Sequence, residues 1–292
     1  MSNDNKSAAK LTTPNLAGEV SHAFSPMTIS DADFKRLATF IHSNYGIDRS
    51  QKRQLITGRL SSSIRQRGYT SFSSFVDHLL KEKDNDEVTL VLNKLTTNYT
   101  FFMREKDHLD YFCKNIIPEL VRRHQKDKVL SIWSAGCSSG EEPYNISMFL
   151  FDYLGTRANE WDTRILATDI SAQALNSARR GIYELPDTIP KEWKRRYFVD
   201  NKDGTHTVAP MVKNNVIFQS FNLMDPIRFR RKFDIIFCRN VMIYFDQPTK
   251  DALVQRFYDA TVPGGYLLIS YSENLSQNTP YKRMAPATFI KK

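Results

Sequence analysis

The sequence predicts two parts, a small all-α domain followed by a larger α/β domain with a doubly wound, mostly parallel sheet. Three observations predict it. Up to about residue 95, apolar residues recur at helical spacing. Beyond that point short β-rich runs alternate with helical segments, the signature of a parallel sheet with crossover helices. A glycine-containing turn follows the first run, and polar residues end the fourth, where open α/β sheets bind ligands.

In chain order, residues 1–26 are polar and punctuated by Pro and Gly, and read as a disordered tail. Ser30-Asp31 opens the first helix, with Phe34, Leu37, Ala38 and Ile41 on one face, and Gly46 closes it. Leu55, Ile56, Leu60 and Ile64 mark a second helix, ended by Gly68. Phe72, Phe75, Val76, Leu79 and Leu80 mark a third, and 88–95 a fourth. The predicted strands are 129–134 (VLSIWS), 164–168 (RILAT), 216–220 (VIFQS), 233–238 (FDIIFC) and 266–270 (YLLIS). Helices are predicted at 144–153, 172–179 and 249–260, and 287–291 is compatible with an added antiparallel strand. Between Arg180 and Asn215 lies a long connection with little helical period, in which 205–212 (THTVAPMV) reads as a small β excursion.

Composition bounds the function. The chain has 292 residues, 41% hydrophobic and 25% charged, as expected of a soluble globular protein. It has no apolar run of about 18 residues for a membrane span, and no apolar signal core at the N-terminus. Cys113, Cys137 and Cys238 are too few and too far apart for a metal cluster or disulfide framework, and they suit a reduced, cytoplasmic location. The net charge of +9 asks for an acidic partner without identifying it.

Around the first turn, SAGCSSGEEP lacks the GxGxxG spacing of dinucleotide folds. The helix opens on Glu141 and Glu142, which repel a phosphate and suit a cationic ligand such as an ammonium or sulfonium. A glycine turn with acidic capping residues and no ligand has the same sequence. Asp169, ending the second strand, fits the carboxylate that holds a ribose diol; it also fits a helix cap, a role open to Ser171. Asn222-Leu223, after the third strand, offers an amide edge beside an apolar face for an adenine. Arg239-Asn240 ends the strand FDIIFC.

These features describe an S-adenosylmethionine site. LTTNYTFFMRE, SIWSAGCSSGEEPYNIS, ATDIS, FDIIFCRNVMIYFD and YSENLS closely resemble the CheR family of chemotaxis receptor glutamate O-methyltransferases, in order and from about Thr28 to the C-terminus. The resemblance implies a class I S-adenosylmethionine-dependent methyltransferase with an N-terminal all-α domain and a small inserted β subdomain. The implied organisation is a receptor-docking domain at 27–95, a cofactor-contacting linker at 96–105 and a catalytic domain at 106–292, with the insert at about 181–214. Cofactor contacts then fall on Asn98, Thr100, Arg104, one of Glu141 and Glu142, Asp169, Asn222, Leu223, Arg239 and Asn240. Met103 departs from the aromatic usual in the family before the arginine. Arg104 and Tyr244 are the candidate catalytic residues, the first to orient a carboxylate and the second to line the methyl channel; core packing is the competing reading for Tyr244.

The implied reaction transfers methyl to receptor glutamates and releases S-adenosylhomocysteine. It needs no metal and no general base, because a glutamate is ionised at pH 7. The competing function is a cofactor-sensing adaptor without catalysis. Amino-directed nucleic-acid methyltransferases carry an Asn/Asp-Pro-Pro-aromatic turn after the fourth strand, where this chain has Arg239-Asn240-Val241-Met242, so nucleic acid is not expected as a partner.

Arg49, Lys52, Arg53, Arg59, Arg65 and Arg67 occupy a span with no acidic residue, and the pattern places the first four on one helix face. The family uses this helix against receptors, which makes Lys52, Arg53 and Arg59 the candidate docking residues, against the plainer reading of a solvated basic face. Ser61, Ser62 and Ser63 stand where some relatives are more basic. A monomer is expected. The stretch 200–207 is short for a β subdomain that captures a receptor tail, so independence from a C-terminal pentapeptide tether is expected. Titration with such a pentapeptide should show no micromolar binding; micromolar affinity contradicts this reading.

Overall fold

The computed structural model describes residues 27–82, 85–96 and 99–292. The tail expected at 1–26 and the candidate Asn98 lie outside the described residues.

Four helices form the N-terminal domain: α1 (Asp31–Tyr45), α2 (Arg53–Gln66), α3 (Phe72–Glu82) and α4 (Asn85–Leu95). Ser30 caps α1 by accepting from the Asp33 N–H, and Gly46 ends it in the left-handed conformation. Leu37, Ile41, Ile56, Leu60, Phe75 and Leu79 are fully buried between them. The basic span divides differently from the sequence expectation. Helix α2 begins only at Arg53, so Arg49 and Lys52 lie before it. Ser61 and Ser63 are buried, and only Ser62 of the three serines is exposed.

The linker leads into α5 (Lys106–Tyr111), a π-turn at Phe112–Ile116 and α6 (Ile117–Arg123), a stretch to which the sequence pattern assigned no helix. The C-terminal domain continues through β1 (Ile132–Ala135), α7 (Glu141–Leu154), β2 (Ile165–Asp169) and α8 (Ala172–Arg180). The insert holds β3 (Ile182–Tyr183), α9 (Lys191–Tyr197), β4 (Phe198–Asp200), β5 (His206–Val208) and α10 (Pro210–Lys213). The chain closes with β6 (Val216–Ser220), β7 (Phe233–Cys238), α11 (Gln247–Ala260), β8 (Thr261–Ile269), β9 (Lys282–Ala285) and β10 (Thr288–Ile290).

The main sheet has the order β6-β2-β1-β7-β8-β10-β9. Its first five strands are parallel, and β10 runs antiparallel to both β8 and β9. From β1 the chain winds outward to β6, then crosses back to β7. The strand order therefore switches between β1 and β7, and a crevice opens there at the carboxyl ends. The first strand starts three residues later than its sequence suggests, because Val129 pairs only in an isolated bridge with Asp162. The fifth starts earlier, at Thr261, through a register shift and the pair Gly264-Gly265 that break its apolar pattern.

Trp133 of β1 is fully buried and donates its Nε1–H to Thr168 Oγ1 at 2.9 Å. Phe221, Phe229, Phe233 and Phe257 surround it with ring centroids 5.1–5.8 Å away. Burying each such ring contributes about 1.5–3 kcal/mol, which makes β1 the rigid centre of the sheet. The insert forms its own antiparallel sheet, β3-β5-β4. It is anchored to Asp152 of α7, which accepts from Trp193 Nε1 at 2.5 Å and Arg196 Nη1 at 3.0 Å. Phe102 of the linker packs edge-on to Tyr183 and Phe198 of the insert.

The two domains are bonded along one seam. Ile47 and Phe245 form an antiparallel bridge, and the Asp48 N–H donates to the Tyr244 carbonyl at 2.8 Å. His42 Nε2 lies 2.9 Å from Asp246 Oδ2, and Ser171 Oγ donates to Asn93 Oδ1 at 2.6 Å.

Gly136 has φ of 85°, and a Cβ on it would sit 2.4 Å from Val241 Cγ2. Gly136→Ala should destabilise the fold by about 1–3 kcal/mol through backbone strain and overpacking. Gly58 is exposed within α2, and a Cβ added there would meet no atom within 4 Å. Gly58→Ala should therefore stabilise by about 0.5–1 kcal/mol. Urea unfolding of both variants checks the pair; opposite signs are expected.

Candidate active site

A cleft of about 1040 Å³ opens at the carboxyl ends of β1, β2, β6 and β7. Its walls come from both domains: Tyr45 and Ile47 at the end of α1 and just beyond it, the linker residues Thr100 and Arg104, and the strand-end loops. At the turn after β1, the φ of Gly136 brings the backbone under the cleft without a side chain. Ser138 follows, also at positive φ, and donates its N–H to Asp169 Oδ2 at 2.8 Å.

Asp169 Oδ1 accepts the Ser171 N–H at 2.8 Å. Ser171 itself caps α8 through the Ala174 N–H, so Asp169 is not the cap. It instead ties the turns after β1 and β2 together and lines the cleft. Burial raises its pKa above the ordinary value, against the N–H bonds that favour the carboxylate.

Glu141 and Glu142 separate clearly. Glu142 lines the cleft, accepting from Ser134 Oγ at 2.7 Å and Arg239 Nη1 at 3.0 Å. Glu141 is buried off the cleft and accepts from Ser139 Oγ at 2.7 Å; burial raises its pKa. Consecutive helical residues point about 100° apart, which is why one reaches the cleft and its neighbour does not.

Arg239 lines the cleft with a side chain only 3% exposed. Besides Glu142, its guanidinium donates to the Arg104 carbonyl at 2.5 Å and lies 3.3 Å from Glu105 Oε2. It therefore joins β7, α7 and the linker. Asn240, at φ of 60°, donates Nδ2–H to Ser270 Oγ at 2.7 Å, and Ser270 Oγ donates to Glu105 Oε1 at 2.7 Å.

Glu105 and Glu273 brace the cleft, and the sequence reading proposed no role for them. Burial alone would raise the Glu105 pKa, but His108, Ser270 and Arg239 hold it at about 2. Glu273 accepts N–H bonds from Ser270, Asn240 and Ile243, pinning the loop after β7 to the loop after β8. Both lie in the blocks FFMRE and YSENLS, but what they contact is set by the packing of distant segments.

Among the remaining candidates, Thr100, Leu223 and Tyr244 line the cleft. Asn222 does so too, while its Nδ2–H donates to the Asn44 carbonyl at 2.8 Å across the domain seam. Arg104 lines the cleft, donates to the Tyr99 carbonyl at 2.8 Å, and its guanidinium carbon lies 5.9 Å from the Phe101 ring centroid. Met103 is buried in the core with its N–H donated to Asn145 Oδ1 at 2.6 Å, so its departure from an aromatic leaves the cleft wall intact. Asn145 Nδ2 is buried without a partner beside the cleft. Arg49 is drawn out of the basic surface, with its guanidinium 5.0 Å from the Tyr244 ring centroid and Nη2–H donated to the Leu95 carbonyl at 3.0 Å. Lys52, Arg53 and Arg59 are exposed and away from the cleft; Arg53 pairs with Asp31. Cys137 and Cys238 are buried thiols whose pKa burial pushes far up. No group of side chains with metal-ligand geometry occurs among the described residues, and none of their helices is long and apolar enough to cross a membrane.

The cleft fits a nucleoside-bearing cation: a side-chain-free turn, a carboxylate at the second strand end, an apolar Leu223–Phe221 wall and an acidic Glu142. The family model of the CheR methyltransferase SAM-binding domain matches residues 98–290, and that of the CheR methyltransferase all-α domain matches 32–96. The chain is 39% identical over 271 residues to a chemotaxis protein methyltransferase of Borreliella burgdorferi, covering 91% of this chain and 96% of that one. It is 36% identical over 258 residues to the Escherichia coli K12 chemotaxis protein methyltransferase, covering 86% and 87% respectively.

Glu105 gives a pH test. A pKa held near 2, below the ordinary 4.5, means its stabilisation is complete above about pH 4.5 and lost as pH falls toward 2. Glu105→Gln should therefore cost roughly 3 kcal/mol at pH 7 and progressively less below pH 4.5. Urea unfolding of both proteins across that range should show the two stabilities converging; a pH-independent gap contradicts the charged role.

Proposed function

Because the chain belongs to the CheR methyltransferase family and is an S-adenosylmethionine-dependent methyltransferase of chemotaxis, we propose that it methylates glutamate side chains of chemoreceptor cytoplasmic domains. The products are glutamate methyl esters and S-adenosylhomocysteine. The observation that carries this reading is the distribution of charge in the cleft. Arg239 is neutralised by Glu105 and Glu142, whereas Arg104 lines the same cleft with no carboxylate partner among the described residues. That cation suits a carboxylate, from substrate or cofactor, and repels an amine.

Asp169, Asn222 and Leu223 would hold the nucleoside, with Glu142, Thr100 and Arg104 around the methionyl end. When bound, the cofactor supplies a sulfonium methyl as electrophile. The substrate glutamate is already anionic, with a reference pKa of ~4.3, so the chain needs no base to activate it. Arg104 orients the carboxylate for in-line attack, and well-positioned reactants can contribute roughly 7–11 kcal/mol. Tyr244, held under Arg49, lines the approach. Cancellation of unlike charges is favoured where water is displaced, and the apolar walls Phe221, Leu223 and Val241 serve that end. Lys52 and Arg59 are the exposed cations before and along α2 that we assign to an acidic receptor helix, with Arg53 shared with Asp31.

Incubating the enzyme with radiolabelled cofactor and a receptor cytoplasmic fragment should transfer label in a base-labile form, as an ester requires; base-stable label overturns the glutamate assignment. Asp169→Ala should weaken cofactor binding by about tenfold or more, the loss of a charged hydrogen bond. Arg59→Ala should leave cofactor affinity unchanged and raise the KM for receptor. Equal cofactor loss in both variants contradicts the division between docking and catalytic domains.

A further inference from the structure

The net charge of +9 is not explained by α2 alone. Arg53 pairs with Asp31, Arg67 with Glu87, and Arg49 is packed on Tyr244. A denser cluster lies elsewhere. In the loop between β6 and β7, Arg228, Arg230, Arg231 and Lys232 are all exposed within five residues. None of them forms an ion pair among the described residues. Asp162, the acid whose field reaches Arg231, is already bound to Arg164 at 2.8 Å.

Beside this turn is an open hollow lined by Arg231, Lys232 and Arg256 with the apolar walls Ile227, Phe229 and Ala260. Arg256 donates to the Leu223 carbonyl at 2.8 Å, but its Nε is buried with no acceptor. Asp259, the acid at this cavity, accepts from Gln255 at 3.1 Å. A partly buried guanidinium without a counter-ion is costly, and a bound oxyanion would offset that cost. Phe229 is anchored in the ring cluster around Trp133, which makes the loop a fixed platform.

We propose that residues 228–232 and the Arg231–Arg256 cavity form an interaction surface for an acidic polypeptide segment, with a glutamate or aspartate side chain seated in the cavity. The turn precedes Phe233, the first residue of β7, and so lies at the end of the sheet opposite the cleft. A partner there leaves the catalytic mouth open. The two arginine forks of the cavity, Arg231 and Arg256, and its apolar walls match a discrete carboxylate on a short methylene stem. Nucleic acid fits less well because Phe221 and Phe229, the aromatics of this loop, pack on Trp133 and give no stacking platform. A bilayer surface fits less well because the site is a cavity rather than a flat basic face.

The test measures anisotropy of a fluorescein-labelled decaglutamate peptide with the full chain at low salt. Replacing Arg228, Arg230 and Arg231 by Gln should weaken binding about tenfold or more, while Lys191→Gln with Lys194→Gln, exposed on α9, should change it by less than about twofold. Cofactor binding should be unchanged in the loop variant. If the triple variant does not fold, Arg230→Gln alone, with an exposed side chain, should still weaken binding measurably. Equal loss in the loop and α9 variants shows diffuse attraction by net charge and overturns the proposal. So does loop-dependent binding to phosphatidylserine vesicles or duplex DNA that exceeds binding to the peptide.

Discussion

The buried guanidinium of Arg239 is the constraint on which the site depends. It lies at the end of the central strand pair and reaches Glu142 on α7, Glu105 in the linker and the Arg104 carbonyl. Removing one partner from a buried ionic group typically costs about 3–5 kcal/mol, because the remaining charge is left without compensation. That penalty holds three chain segments, far apart in sequence, in one geometry. Positive φ values at Met103, Glu105 and Asn240 fall beside or at the residues Arg239 pairs with or adjoins.

Around that ion pair the cleft is a composite. The catalytic domain supplies the strand ends, but Tyr45, Ile47 and Thr96 come from the N-terminal domain and its exit. The seam bonds at His42, Asn44 and Asp48 meet the very loops that carry Asn222 and Tyr244. Arg49 extends this coupling, linking the end of α4 to the Tyr244 ring. The N-terminal domain thus forms a wall of the cleft, held there by the same seam contacts.

The distribution of charge follows the same logic. Near the cleft Arg239 is paired with carboxylates and Arg49 and Arg104 lie against aromatic rings, while cations without a carboxylate partner among the described residues also collect on surfaces outside it. A local tally of basic residues along α2 cannot see this, because pairing with Asp31, Glu87 or the Tyr244 ring depends on elements that meet only in the folded chain.

The sequence by itself determined the helical N-terminal part, the alternation of the five parallel strands with helices, the glycine turn, and the residues Asp169, Asn222, Arg239 and Asn240 at strand ends, since apolar periodicity and short-range turn chemistry are local. Family resemblance added the linker block and the cofactor class. Only the tertiary structure decided that Glu142 rather than Glu141 faces the cleft, that Ser171 rather than Asp169 caps α8, and that Arg239 is a strut between carboxylates. It alone revealed Glu105 and Glu273, and the helical stretch from Lys106 to Arg123. The reason is physical: hydrophobic pattern is carried by neighbours in the chain, whereas buried charge is satisfied by partners up to 165 residues away, which no local window contains.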